Sequence, residues 1–400
     1  MFDETVRYWR NWVARSSYKG RWREMVNRSA LAMKLLTSKS TGGIAAAATF
    51  GLPEMVGGER NWDYRYTWIR DGSLTAASLI SLGFTEEAER FVRWVEDRYE
   101  NSPDGKLQIM YGIDGRSDLE EQILTNLSGY RGSHPVRIGN GAYNQLQLDI
   151  YGELMYMIDL YDQHVEPVSY DQWKKLTRSI EWISNNWQMK DEGIWEVRGG
   201  QQEFLYSRIM AWVALDRAGR IASRRSLPSP IVQWHDTRDR IHNEIYDTFW
   251  NPSRKAFIQH KKTDTLDASS LFMPMVGLIS SKDPRWLSTL SEIGKELVDD
   301  SLVYRYRVDA AASDGLSGTE GTFCMCSFWY VECLARAGDL QTARLFFEKM
   351  HGYANHLGLF AEEMDSTGRY LGNFPQAFTH LGLVSAARYL DQALDEAGEA

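Results

Sequence analysis

The chain has 400 residues, 43% of them hydrophobic, enough to bury one large core or two smaller ones. Its formal charge of -9 and pI near 5.5 argue against nucleic acid or an anionic membrane as the main partner. The start, MFDETVRYWRNW, has no apolar run after a basic cluster, and no stretch approaches the roughly eighteen apolar residues of a membrane span. Neither a secretory signal nor a transmembrane helix is therefore expected.

Helical periodicity dominates the chain. Helices are expected to begin near Ala30, Gly72, Glu86, Gln145, Asp171, Phe204, Pro230, Ser269, Pro284, Thr322, Leu340 and Gln376. The start near Glu86 follows a stop at Gly83 and a cap at Thr85 in LGFTEE. In QLQLDIYGELMYMIDLY, Leu146, Ile150, Leu154, Met157 and Tyr161 form one apolar stripe. Trp173, Leu176, Ile180, Ile183 and Trp187 form the next. SRIMAWVALDRAG and FCMCSFWYVECLARAG are apolar almost all round and must be buried. Gly338 closes the latter helix, and Asp339 caps its successor. Alternating buried and amphipathic helices, with no fixed repeat length, predict an all-α (α/α)6 barrel rather than a solenoid. Long polar connections are expected at 41–71, 100–144, 188–203, 303–321 and 351–375. No Pro/Ser linker divides the chain, so a single barrel over 29–400 is expected, after a lead-in segment at 1–28.

The chemistry concentrates in those connections. RNWDYRYTWIRDGS sets Trp62, Tyr64, Tyr66 and Trp68 around Asp63, Arg70 and Asp71. An acid capping a helix start among packing rings explains part of this, and a ring-lined polar pocket explains all of it. The 15 Trp and 20 Tyr of the chain suit a cleft that stacks on sugar faces. Glu196 follows Trp195, whose ring is expected to desolvate it and raise its pKa, as suits a general acid. Glu362, Glu363 and Asp365 precede the last helix. Two facing carboxyl groups, one kept protonated, are the machinery for cleaving a glycosidic bond.

Other chemistries fit poorly. No H-E-x-x-H or G-x-S-x-G occurs, and the eight histidines are scattered. RIGNGAYN lacks the last glycine of a dinucleotide loop and has no preceding strand. Cys324, Cys326 and Cys333 fall in one expected helix, which fits reduced core thiols of a cytoplasmic protein.

RNWDYRYTWIRDGS, YRGSHPVRIGNGAYNQLQLDIYG, GIWEVRGG with YSRIMAWVALDRA, GTEGTFCMCSFWYVECLARAG, and GLFAEEMD with GNFPQAFTHLGLV together resemble glycoside hydrolase family 15. That family holds glucoamylases, glucodextranases and bacterial or archaeal trehalases, and the motifs run in order from about Ser29 to Leu390. The resemblance implies an (α/α)6 barrel, with Glu196 as general acid and Glu362 as general base. It implies that Arg70 and Asp71 bind the hydroxyls of the terminal glucose between the walls Tyr64 and Trp68. Trp195, Arg305, Glu320 and Glu363 are implied as further substrate-binding residues, with Arg307 close enough to compete with Arg305. Prokaryotic members usually carry a β-sandwich ahead of the barrel, so either a lone catalytic domain or part of a longer protein is expected. The function expected is that of an exo-acting, inverting α-glucosidase of glucoamylase type. Trehalase is the alternative, and a non-catalytic carbohydrate-binding relative ranks third. A saccharide substrate is the one partner implied, with no metal or organic cofactor.

Overall fold

The alternation of all-apolar and amphipathic helices resolves into two concentric layers in the computed structural model, which describes residues 1–307 and 314–398. In chain order the helices are α1 Phe2–Val13, α2 Arg23–Leu36, α3 Ile69–Ser81, α4 Thr85–Arg98, α5 Ile150–His164, α6 Tyr170–Asn186, α7 Leu205–Arg225, α8 Ile231–Glu244, α9 Phe272–Met275, α10 Pro284–Glu296, α11 Cys324–Ala337, α12 Leu340–Gly352 and α13 Ala377–Ala397. The inner ring is α3, α5, α7, the 3₁₀ turn Ala268–Leu271 with α9, α11 and α13. Each packs on the next, and α13 returns to α3 to close the ring. Outer α2, α4, α6, α8 and α12 pack against inner helices, and α10 completes the alternation. This is the expected (α/α)6 barrel.

Local chemistry explains most boundaries. Ser169 and Gln172 form a capping box that starts α6. Gly338 ends α11 in the left-handed region, and the Asp339 side chain accepts from Thr342 N–H to start α12. Thr85, expected as a cap, is instead the first residue of α4 and makes no side-chain cap. The inner element near Ser269 is short because Pro274 denies the turn before it an N–H and Gly277, at φ 80°, turns the chain away after Met275. The middle of the connection expected at 303–321 lies outside the described residues.

No helix is expected before Ala30, yet α1 forms and the 28/29 boundary falls inside α2, which starts at Arg23. Trp12 anchors α1: its ring stacks on Phe84 at 4.0 Å and its N–H donates to Glu87 at 2.9 Å. Lys34 of α2 ion-pairs the same carboxylate at 2.7 Å. One hydrophobic core runs from Trp12 to Leu394, and the three cysteines are free and buried within it. Among the described residues, no helix is long and apolar enough to cross a membrane.

Candidate active site

The connections between helices bring their polar residues to one pocket, at the starts of α3, α11 and α13. It encloses about 390 Å³, mouth included. Tyr64 and Trp68 come from 41–71, Trp195 and Glu196 from 188–203, Arg305 from 303–321, and Glu362 from 351–375. Arg70 and Asp71 reach it from the first turn of α3. The crowded stretch therefore is a helix start as well as a pocket wall. Its N-cap is Trp68, which makes no side-chain cap and lends its ring to the pocket.

Glu196 sits in a loop closed by the antiparallel bridge between Asp191 and Gln202. Its φ of 57° is in the left-handed region that a glutamate rarely adopts, so the loop holds it under strain. Trp68 Nε1–H donates to Glu196 Oε1 at 2.6 Å, and an Arg70 guanidinium nitrogen approaches the same oxygen at 3.4 Å. Trp195 makes no hydrogen bond to this acid. Its indole N–H is 3.0 Å from both oxygens of Asp267, and its ring packs edge-on against Phe323. Buried Asp267 needs a donor, and that need turns the Trp195 indole N–H away from Glu196.

Glu362 is 1% exposed, and Asn373 N–H donates to its Oε2 at 3.1 Å. Burial, then the charge of Glu54, pushes its carboxyl up to about 8. Gly372 is required beside it. With φ of 67°, a Cβ at this position would lie 2.6 Å from Glu362 Oε2. Burial and the Glu362 charge raise Tyr64 well above its ordinary value, so the phenol stays a hydrogen-bond donor. Burial lifts Asp71 to about 6 against the pull of Arg70, 3.2 Å away.

Glu320 and Glu363 differ from expectation, because neither lines the pocket. Glu320 lies behind Arg305, pairing with it through both oxygens and with Arg60 at 3.2 Å. Glu363 accepts from Gly321 N–H at 2.8 Å and is 0% exposed. For Glu320 the reason is electrostatic. The wholly buried Arg60 and the nearly buried Arg305 need carboxylate partners, which Glu54, Glu320 and Asp314 supply. Among the described residues, Glu54, Glu320 and Glu363 are also the one group whose oxygens lie close enough to share a metal ion, within 4.8 Å of one another. The two guanidiniums already supply their countercharge. Arg307 turns away to the Glu296 carbonyl at 3.0 Å, leaving Arg305 as the pocket arginine.

Sequence reasoning missed Glu54, Gln147, Asp267, Asn373 and Gln376. Gln147 accepts from Arg70 at 3.1 Å, and Asn373 also donates to the Trp62 carbonyl at 2.8 Å. Only Asp267 had a readable signal, as the cap of a helix start in LDASS.

The family model described as "Glycosyl hydrolases family 15" matches residues 20–388. A trehalase of Thermoplasma volcanium is 42% identical over 98% of this chain and 62% of its own length. A trehalase of Mycobacterium tuberculosis is 42% identical over 98% of this chain and 58% of its own. The chain thus spans about three fifths of the length of these curated relatives. A bacterial glucoamylase complexed with acarbose superposes with a TM-score of 0.72 at 16% identity, over 94% of this chain and 58% of that one. That likeness concerns the fold. The motif order, the closed ring of helices and the match over 20–388 agree, and the chain belongs to glycosyl hydrolases family 15.

Proposed function

We propose that the chain is a catalytic barrel hydrolysing α,α-trehalose by inversion, with Glu196 as general acid and Glu362 as general base. The observation that carries the acid–base reading is that these two carboxyl groups, 166 residues apart in sequence, open into one small ring-lined pocket. Oε1 of Glu196 is taken by Trp68, and Oε2 has no protein hydrogen bond among the described residues, so it is the oxygen to protonate the glycosidic bond. Glu362 then activates a water on the opposite face of the sugar. Arg70 and Asp71 read hydroxyls of the reacting glucose, with Tyr64 and Trp68 as walls and with Trp195 and Arg305, whose guanidinium lies 5.6 Å from the Trp195 ring, completing the lining. Glu320 and Glu363 act from behind, by holding Arg305 and the loop of Glu362.

The choice of trehalose over a malto-oligosaccharide is supported by the trehalase relatives at 42% identity, against 16% for the glucoamylase neighbour. The glucoamylase-type reading therefore becomes the second one. The segment ahead of α2 serves as a lead-in strapped to the barrel through Trp12, with the barrel starting at Arg23 rather than at 29, and the buried free thiols support a reducing, cytoplasmic setting. Glucose release by the purified chain from trehalose, maltose, maltotetraose, isomaltose and starch tests the reading. Cleavage of trehalose is expected. Release from the malto-oligosaccharides alone returns the glucoamylase-type reading, and release from none favours a binding protein.

A further inference from the structure

Arg70 is shared among more acids than it can neutralise. Its guanidinium lies 3.2 Å from Asp71, 3.4 Å from Glu196 and 3.9 Å from Asp149, and it donates to Gln147 and to the Ile194 carbonyl. Asp149 is 0% exposed, and neither of its carboxylate oxygens has a hydrogen-bond partner. One turn further along α5, Glu153 is also 0% exposed. Its Oε1 accepts from Tyr206 O–H at 2.9 Å, and its Oε2 has no partner. Orphaned buried carboxylate oxygens are costly, so a structural role would have to compensate. None is visible: Asp149 is the N-cap residue of α5 yet caps nothing with its side chain. An apolar or amide side chain would serve the fold better.

We propose that Asp149, backed by Glu153, is a positioning residue that divides the Arg70 guanidinium between itself and Glu196. This rests on the reading of Glu196 as the general acid. Arg70 NH1 faces Asp149 while NH2 faces Glu196, so each carboxylate weakens the hold of Arg70 on the other. The charged and titratable groups around this centre are Arg70 and Asp71 from α3, Asp149 and Glu153 from α5, and Tyr206 from α7. Glu196 and Asp191 face it from the loop before α7, and the ring of Phe378 from α13 lies 5.3 Å from the guanidinium. Arg70, with buried Arg208 of α7 acting on Asp191, cannot hold four buried carboxylates and the part-exposed Glu196 all ionised, so protons reside among them. Burial raises Asp149 to about 6, and burial with the Asp149 charge raises Glu153 well above its ordinary value. A general acid must keep its proton near neutral pH. By drawing on Arg70, Asp149 limits how far the guanidinium favours ionised Glu196.

The test is the pH dependence of kcat for the substrate that the wild-type chain cleaves. Asp149→Asn removes the competitor, and its alkaline limb is expected about one unit lower than wild type, the shift a close opposite charge produces. Asp149→Glu keeps the charge and is expected to keep the wild-type limb. Glu153→Leu removes the neighbouring carboxyl that favours the ionised form of Asp149, so Asp149 takes up a proton, and the limb moves down as in Asp149→Asn. This second variant decides the matter if the first does not fold. An unmoved alkaline limb in a folded Asp149→Asn or Glu153→Leu overturns the proposal, as does the same shift in Asp149→Glu. If the wild-type chain cleaves no α-glucoside, the acid–base reading fails by itself. The proposal is then read from the titration of Glu196 by carbon NMR, which must still move down in Asp149→Asn.

Discussion

Replacing Glu362 by Gln separates what this side chain does for the fold from what it does for the chemistry. The carboxyl is 1% exposed, with Asn373 N–H on one oxygen and the negative charge of Glu54 nearby. Its folded-state value of about 8 stands above the ordinary 4.5. A raised value means that the folded state binds the proton more tightly than the unfolded chain. The associated stability is then fully present below about 4.5 and is lost as pH rises through about 8. At about 1.4 kcal/mol per unit, the cost of ionising Glu362 in the fold is bounded at about 5 kcal/mol above pH 8. An isosteric amide can keep the bond from Asn373 and never ionises. Part of the gain is offset by placing an amide N–H₂ among the remaining groups, so about 1–3 kcal/mol is expected. Denaturant unfolding of both proteins at pH 5 and pH 8.5 measures it. The wild type should lose stability relative to Glu362→Gln over this interval, and turnover by the variant should fall by roughly 10²–10⁴-fold. Parallel loss of stability in the two proteins would refute the buried-charge argument. Near-normal turnover by the variant would refute the base.

The same raised value predicts that the acidic limb of kcat/KM lies above the usual carboxylate range, activity being gained as pH rises through it; a limb near 4 in a pH–rate profile contradicts this. Arg70→Ala or Asp71→Ala should cripple turnover of a folded protein, because each hydrogen bond to a charged group contributes roughly 1.5–3 kcal/mol; near-normal rates would leave Arg60 to Ser73 as only a helix start. Gly372→Ala should displace the Glu362 carboxyl, since the added Cβ would lie 2.6 Å from Oε2, and should lower kcat more than it lowers the unfolding midpoint. Glu320→Gln should raise KM by loosening Arg305 without moving either pH limb; loss of a limb would make Glu320 one of the reacting acids.

Periodicity made the helices legible. All-round apolar runs such as SRIMAWVALDRAG could only be inner helices, whereas a single stripe left the layer open: α5 and α6 both show one, and α5 is inner and α6 outer. The α1 helix was not legible, because its stability comes from Trp12 reaching Phe84 and Glu87, more than seventy residues away. The site divides in the same way. Arg70, Asp71, Tyr64, Trp68, Trp195, Glu196, Arg305 and Glu362 line one pocket. Glu320 and Glu363 sit behind the wall, since a loop acid can face substrate or a buried arginine and only the fold decides which. The partner of the Trp195 indole could not be read either, because Asp267 lies 72 residues on, where the local pattern speaks only of a helix cap.

The proposed mechanism requires Glu196 and Glu362 to act from opposite faces of one glucosyl unit. Proton NMR of sugar freshly released from α,α-trehalose tests it most directly. Inversion predicts equal initial amounts of α- and β-glucose, the β-anomer from the attacked unit and the α-anomer from the leaving one. Initial release of α-glucose alone would mean retention, and would contradict water activation by Glu362.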